Sequence, residues 1–117
     1  MLRLAIMIAA LMLAPALQAQ EAGACGDLEE FDKIRCQAEQ GIARAQGLLG
    51  LMYEYGRGVP QDFVRAHMWF NLAASRLPPG GVRDSAVKDR DRIAARMTPE
   101  QIAEAQRLAR DWQPRAE

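Results

Sequence analysis

The sequence lacks a net charge, a second histidine and any long apolar run after residue 20. Its 15 lysine and arginine residues equal its 15 aspartate and glutamate residues. Nucleic-acid binding requires a basic face, and charge-driven binding to a membrane surface requires clustered positive charge, so the neutral balance argues against both. No stretch after Gln20 is apolar enough to cross a bilayer, so we expect no membrane span in that part of the chain.

The motifs of common catalytic and metal sites are also missing. The chain has no HExxH, no GxSxG and no cysteine–histidine spacing typical of a metal site. Its one histidine, His67, has no orienting partner of the kind that general-base catalysis requires. The pair Gly56 and Gly58 follows a helical pattern and has no third glycine, so it predicts a turn rather than a phosphate-binding loop. We therefore predict no catalytic, cofactor-binding or metal-binding residues.

Residues 1–19 have the pattern of a secretory signal peptide. Arg3 precedes the apolar run Leu4–Ala14, which is shorter than the ~20 residues that a membrane-spanning helix needs. Cleavage after Ala19 removes 19 of the 117 residues and leaves 98, with 14 basic and 15 acidic residues. We expect export to the periplasm of a bacterium. An uncleaved N-terminal anchor is the alternative.

The two cysteines, Cys25 and Cys36, both lie near the start of the mature chain. In an oxidising compartment such a pair forms a disulfide more often than a metal site. If a helix begins near Asp27, Cys36 lies about 12 Å along it. The flexible tail predicted at 20–26 must then fold back, because a bridge needs Cα atoms roughly 4.4–6.8 Å apart. A disulfide and two free thiols both stay open, and a lipid anchor at Cys25 is a weaker alternative.

Two antiparallel helices joined by a glycine turn are predicted between residues 42 and 76. Apolar residues recur at helical spacing in both halves: Ala45, Leu48, Leu49, Met52 and Tyr53, then Phe63, Ala66, Phe70 and Ala73. Gly56 can adopt the left-handed conformation that ends a helix, and Asp62 is a good N-cap for the next one. Gly50 lies beside a core position, so we expect the two helices to touch closely there.

Helical patterns flank this hairpin on both sides. Asp27–Gln40 predicts a helix with Asp27 as its N-cap. The charges of Asp84–Arg96 alternate in sign, with Asp84 and Lys88 four residues apart, which is typical of a solvated helix face. A charged docking face is the alternative for this segment.

A strong signal for the start of a helix follows near the C-terminus. Thr98 and Gln101 have the spacing of a capping box, and Pro114 is expected to close the helix that begins there. We expect the last two helices to cover the open end of the hairpin, as terminal units of a helical repeat must.

The positions that mark one known repeat are present in the hairpin: Ala45-Gln46, Leu49-Gly50, Met52-Tyr53, Gly56, Gly58-Val59-Pro60-Gln61-Asp62, Ala66, Trp69 and Ala73-Ala74. In these positions the chain resembles the Sel1-like repeat, a relative of the tetratricopeptide repeats. The resemblance implies an all-α fold of about five helices in a short right-handed solenoid. The implied units are a degenerate half-repeat at 27–41, a full repeat at 42–76 and capping helices at 83–113. It also implies structural roles for Tyr53 and Trp69.

The resemblance implies protein–protein contact as the function. We predict an exported, non-enzymatic module that binds a protein or peptide in the groove between the hairpin and its cap. Tyr55, which lies off the apolar stripe, and His67, expected to be partly exposed, are the candidate partner contacts. The alternatives are a periplasmic hydrolase acting on the cell envelope and a structural protein that associates with itself.

Overall fold

The computed structural model describes residues 25–115, so the predicted signal peptide and most of the predicted tail lie outside the described residues. Five helices occupy this part of the chain, and no strand does: α1 Glu30–Glu39, α2 Ala43–Tyr55, α3 Phe63–Arg76, α4 Gly81–Ala94 and α5 Pro99–Asp111. The predicted all-α fold class is confirmed. None of these five helices combines the length and the apolarity that a membrane crossing requires.

Helix α3 is the centre of the fold. Helices α2, α4 and α5 all pack against it, and α1 packs against α2. Residues 66–70 of α3 are buried without a break, which requires neighbours on more than one side of the helix. Phe70 of α3 and Leu49 of α2 are among the largest fully buried side chains. The two C-terminal helices therefore supply the packing that a single helical hairpin lacks.

The local signals in the sequence set the ends of these helices. Gly56 ends α2 in the left-handed conformation at φ 67°. The Oδ1 atom of Asp62 caps α3 by accepting a hydrogen bond of 3.1 Å from the backbone N–H of Arg65. At the start of α5, Thr98 Oγ1 accepts from the backbone N–H of Gln101 at 3.1 Å, and Gln101 Oε1 accepts from the backbone N–H of Thr98 at 2.9 Å. The predicted turn, N-cap and capping box are confirmed.

Helix α1 begins later than the sequence predicts. Its N-cap is Glu29, and Asp27 lies in a turn rather than at the helix start. A disulfide joins Cys25 to Cys36, with Cα atoms 5.8 Å apart. A helix continued back to Asp27 would carry the chain away from Cys36, so the prediction that Asp27 caps α1 is wrong because the bridge requires a reversal there.

Reduction of the Cys25–Cys36 disulfide should destabilise the fold by about 2–3 kcal/mol. The bridge closes a loop with a sequence separation of 11, and a loop of this length removes roughly that free energy from the unfolded chain. The measurement is urea unfolding with and without dithiothreitol. The control is the Cys25→Ser/Cys36→Ser variant, whose midpoint should be low and unaffected by the reductant. An equal midpoint for the oxidised and reduced wild-type chain would contradict this expectation.

Helix α4 also departs from the prediction. It begins at Gly81, because Gly80 supplies the turn and its carbonyl already accepts from the backbone N–H of Asp84 at 3.0 Å. Arg92 lies on the exposed face that the sequence predicts, with 47% of its side chain exposed, but it also forms an ion pair that the sequence does not predict. The Nη2 atom of this guanidinium lies 2.6 Å from a carboxylate oxygen of Glu54, which is buried on α2 with only 6% of its side chain exposed. Hydrogen bonds to Glu54 and to Asp89 raise the pKa of Arg92 above its usual range.

The C-terminal segment returns to the first helix. Helix α5 ends at Asp111, with Trp112 as its C-cap, before Pro114 is reached. The backbone N–H of Arg115 then donates to the carbonyl of Glu39 at 2.6 Å, and the side chains of the two residues form an ion pair at 2.9 Å. The described chain therefore starts and ends beside α1.

Candidate functional site

One face of α2 carries apolar side chains that no helix covers. Leu48 is predicted to be a core residue but is 49% exposed, and Leu51 is only partly buried. Ala45, Leu49 and Tyr53 fill the space towards the neighbouring helices, so Leu48 is left on the side of α2 that faces solvent. The prediction that Leu48 belongs to the core is wrong because α1 and α4 lie on either side of this face and leave it open.

A cleft of about 300 Å³ separates α2 from α4, and we refer to it as the α2–α4 cleft. Leu48 and Leu51 line it from α2, and Val82 lines it from α4. Phe70 lines it from α3, and Leu77 lines it from the position that follows α3. Almost all of this lining is apolar. The cleft can therefore accept an apolar side chain of a ligand, with hydrophobic burial as the main source of affinity.

A second cleft of about 700 Å³ lies on the other side of the same leucines, between α1 and α2, and we refer to it as the α1–α2 cleft. Phe31 and Ile34 line it from α1, and Met52 lines it from α2 together with Leu48 and Leu51. Because these two leucines line both clefts, the clefts form one continuous surface. We refer to this surface, from Val82 across α2 to Phe31, as the apolar groove.

Charged side chains lie at both ends of the apolar groove. Arg44 lines the α2–α4 cleft, and Glu29 and Glu30 line the α1–α2 cleft. Within residues 25–115, none of these three side chains takes part in an ion pair. The groove thus combines an apolar middle with an unpaired Arg44 in one cleft and, in the other cleft, two unpaired carboxylates together with Arg57.

Tyr55, one of the two predicted contact residues, lies on the exposed face of α2. It is 58% exposed and follows Leu51 by one helical turn, so it extends the uncovered face beyond the apolar groove. The guanidinium carbon of Arg57 lies 5.9 Å from the centroid of its ring. Tyr55 is therefore accessible to a partner.

His67, the other predicted contact residue, is buried. It is 4% exposed, and its Nδ1 atom has no hydrogen-bond partner among the described residues. The sequence places it beside the apolar stripe of α3, where a helix packed on one side only would leave it in solvent. The prediction of a surface histidine is wrong because α4 covers that side of α3 as well.

The fold should lose stability in mild acid because His67 resists protonation. Burial lowers the pKa of the imidazole, and Arg90 lowers it further, although Asp91 acts in the opposite direction. Below the ordinary histidine pKa of about 6.5, the unfolded chain gains a proton that the folded chain excludes. The free energy of unfolding should therefore fall as the pH drops below 6.5, by at most about 1.4 kcal/mol per pH unit for one proton.

The measurement is urea unfolding at pH 7.5 and pH 5.5 of the wild-type chain and of His67→Gln. Carboxylates contribute equally to both proteins, so the difference between them reports the histidine. The variant should lose less stability between the two pH values. The same loss in both proteins would show that His67 does not resist protonation in the folded chain.

The hydroxyl groups that a hydrolase could use are engaged elsewhere or lie apart from His67. Ser75 Oγ donates to the carbonyl of Leu72 at 2.7 Å, and Thr98 Oγ1 caps α5. Ser85 lines the α2–α4 cleft, whereas His67 does not. Residues 25–115 also contain no group of three or more histidine, cysteine, aspartate or glutamate residues placed to hold a metal ion. The arrangement favours burial of a ligand rather than covalent chemistry.

One signal in the sequence anticipates the apolar groove. Residues 48, 49, 51, 52 and 53 are all apolar, and five such positions in two turns exceed what one buried face of a helix can hold. A helix with so wide an apolar surface is either buried on all sides or left partly exposed for another purpose. The sequence does not say which side stays open, since that depends on where α1 and α4 pack.

Comparison with known families agrees with this geometry. The family model described as Sel1 repeat matches residues 43–76, which run from the first residue of α2 to the last residue of α3. No curated protein and no solved structure matches the chain significantly. The matched segment supplies one wall and the floor of the α2–α4 cleft.

Proposed function

Because this chain is a Sel1-like repeat protein, we propose that it is an exported, non-enzymatic interaction module that binds a protein or peptide partner in the apolar groove. Sel1 repeats suggest protein–protein interaction, and fold alone carries no chemistry. The observation that carries the proposal is that Leu48 is exposed and Leu51 is only partly buried between two clefts, although the core around α3 is closed. Contiguous exposed apolar surface is typical of interaction sites.

The place of action that we propose is the periplasm of a bacterium. The pattern of residues 1–19 supports export. The disulfide between Cys25 and Cys36 fits an oxidising compartment, because such bonds form and persist there. Export is tested by N-terminal sequencing of the protein recovered from a periplasmic fraction, which should begin at Gln20.

The binding role is tested with a matched pair of variants, Leu48→Gln and Ile42→Gln. Both residues are exposed aliphatic side chains, at 49% and 47%, but only Leu48 lines the apolar groove. A partner retained from periplasmic extract by the chain 20–117 should bind Leu48→Gln about tenfold more weakly, because a half-exposed leucine has ~1.4 kcal/mol of further burial to contribute. Ile42→Gln should bind it as the wild-type chain does. Equal binding by all three proteins would count against the groove.

Sedimentation of the same samples separates a partner from self-association. A second copy of this chain is the other candidate occupant of an uncovered apolar face. If the chain is a monomer at every concentration, self-association is excluded as the explanation, and the retained protein is a different partner. A dimer that Leu48→Gln dissociates would replace the adaptor role with a structural one.

A further inference from the structure

We infer that the occupant of the apolar groove is a peptide segment with apolar side chains at its centre and lysine or arginine at the end that lies over the start of α1. This inference rests on the proposed function, because it specifies the chemistry of the partner for the same groove. The groove supplies burial, and the charges at its ends supply direction. Electrostatic complementarity of this kind selects partners and sets their register.

The end of the groove at α1 is acidic. Glu29 is the N-cap of α1 but makes no side-chain capping hydrogen bond, and Glu30 follows it in the first turn. Both are exposed, and both line the α1–α2 cleft beside Phe31. No ion pair within residues 25–115 neutralises either carboxylate. A cation that approaches this end therefore meets two unpaired carboxylates and one protein cation in the same cleft, Arg57.

The other acidic side chains along the groove already have ion-pair partners. Asp32, which lines the α1–α2 cleft, forms an ion pair with Arg35 at 3.2 Å. Asp89, which lines the α2–α4 cleft, forms an ion pair with Arg92 at 2.6 Å. Asp32 therefore has a partner of its own, and Asp89 shares Arg92 with Glu54, whereas Glu29 and Glu30 have no ion-pair partner among the described residues.

The positive charges are placed away from this acidic end or lie over an aromatic ring. Arg44 lines only the α2–α4 cleft, at the N-terminal end of α2. Arg57 lines the α1–α2 cleft, but its guanidinium carbon lies 5.9 Å from the ring centroid of Tyr55. The acidic end at α1 therefore attracts a basic side chain more strongly than the end at Arg44 does.

The test is a selection of random 16-residue peptides displayed on phage against the immobilised chain 20–117. This chain contains all five helices and lacks the apolar run Leu4–Ala14, which could otherwise compete for the groove. The selected peptides should be rich in apolar residues and should carry lysine or arginine at one end. Their affinity should fall about fivefold for Glu29→Gln/Glu30→Gln, as expected for two exposed ion pairs, and should fall with added salt.

The matched control is Asp84→Asn/Glu100→Gln, which removes exposed first-turn acids of α4 and α5 that do not line either cleft. It should bind the selected peptides as the wild-type chain does. Peptides with no preference for lysine or arginine, or equal binding to the Glu29→Gln/Glu30→Gln variant, would overturn this inference. Neither result would contradict the proposal that the apolar groove binds a partner. No selected peptides, or peptides that bind Leu48→Gln equally well, would overturn the proposed function too.

Discussion

Replacement of Gly50 by leucine is expected to abolish the fold. A Cβ atom on Gly50 would lie 2.7 Å from Cδ1 and Cε1 of Phe70, closer than carbon atoms in contact approach. Phe70 is fully buried in α3 and cannot move aside without displacing the core. Even Gly50→Ala should cost about 2–3 kcal/mol, as overpacking of a core does, and this is a large part of the stability of a small domain.

The same helix contains the control for this prediction. A Cβ atom on Gly47 would meet only the Cβ of Ala73, at 3.9 Å, which is ordinary van der Waals contact. Gly47→Ala should therefore stabilise the chain by up to ~1 kcal/mol, because alanine favours a helix over glycine. Thermal unfolding followed by circular dichroism measures both variants. An unchanged melting temperature for Gly50→Leu would show that α2 and α3 do not touch closely at this position.

Replacement of Arg92 by methionine is expected to be the second most damaging change. Both carboxylate oxygens of Glu54 accept hydrogen bonds from the Arg92 guanidinium, the shortest at 2.6 Å. Without Arg92 the Glu54 carboxylate stays buried and uncompensated, which should cost about 3 kcal/mol. The double variant Glu54→Leu/Arg92→Met should recover most of this loss, because it removes the buried Glu54 carboxylate together with its partner. Asp89 also loses Arg92, but 23% of its side chain is exposed to solvent.

Arg107→Met is the control for Arg92→Met. Arg107 also forms two ion pairs, with Glu104 at 2.6 Å and Asp111 at 3.2 Å, but all three side chains are exposed and lie on α5. Its urea midpoint should match that of the wild-type chain, since exposed pairs within one helix contribute little. Urea unfolding of the four proteins measures the comparison. A double variant as unstable as Arg92→Met would mean that the pair holds α4 by some means other than charge compensation.

The parts of the fold that could be predicted from the sequence are those that neighbouring residues determine. Gly56, Asp62 and the Thr98–Gln101 pair act through backbone conformation and hydrogen bonds within three residues, so their roles are visible without a structure. The same is true of the helical spacing of the core residues in α2 and α3. The glycine turn between these two helices also predicted that they pack antiparallel.

The parts that could not be predicted depend on contacts between distant segments. The start of α1 depends on the disulfide to Cys36, and the exposure of Leu48 and the burial of His67 depend on where α4 packs. Arg92 lies in a run of alternating charges that indicates a solvated face, yet its partner Glu54 is 38 residues away in sequence. The groove itself is a result of these contacts. The sequence alone shows only that α2 has more apolar residues than one buried face can hold.

Photo-crosslinking in cells that make this protein tests the binding role most directly. A benzoylphenylalanine at position 48 would lie in the apolar groove, whereas the same residue at position 42 would lie on an equally exposed site outside it. We expect position 48 to yield one discrete adduct with a different protein and position 42 to yield none. The absence of an adduct at position 48, or the same adduct from both positions, would contradict the proposal that this groove binds a partner.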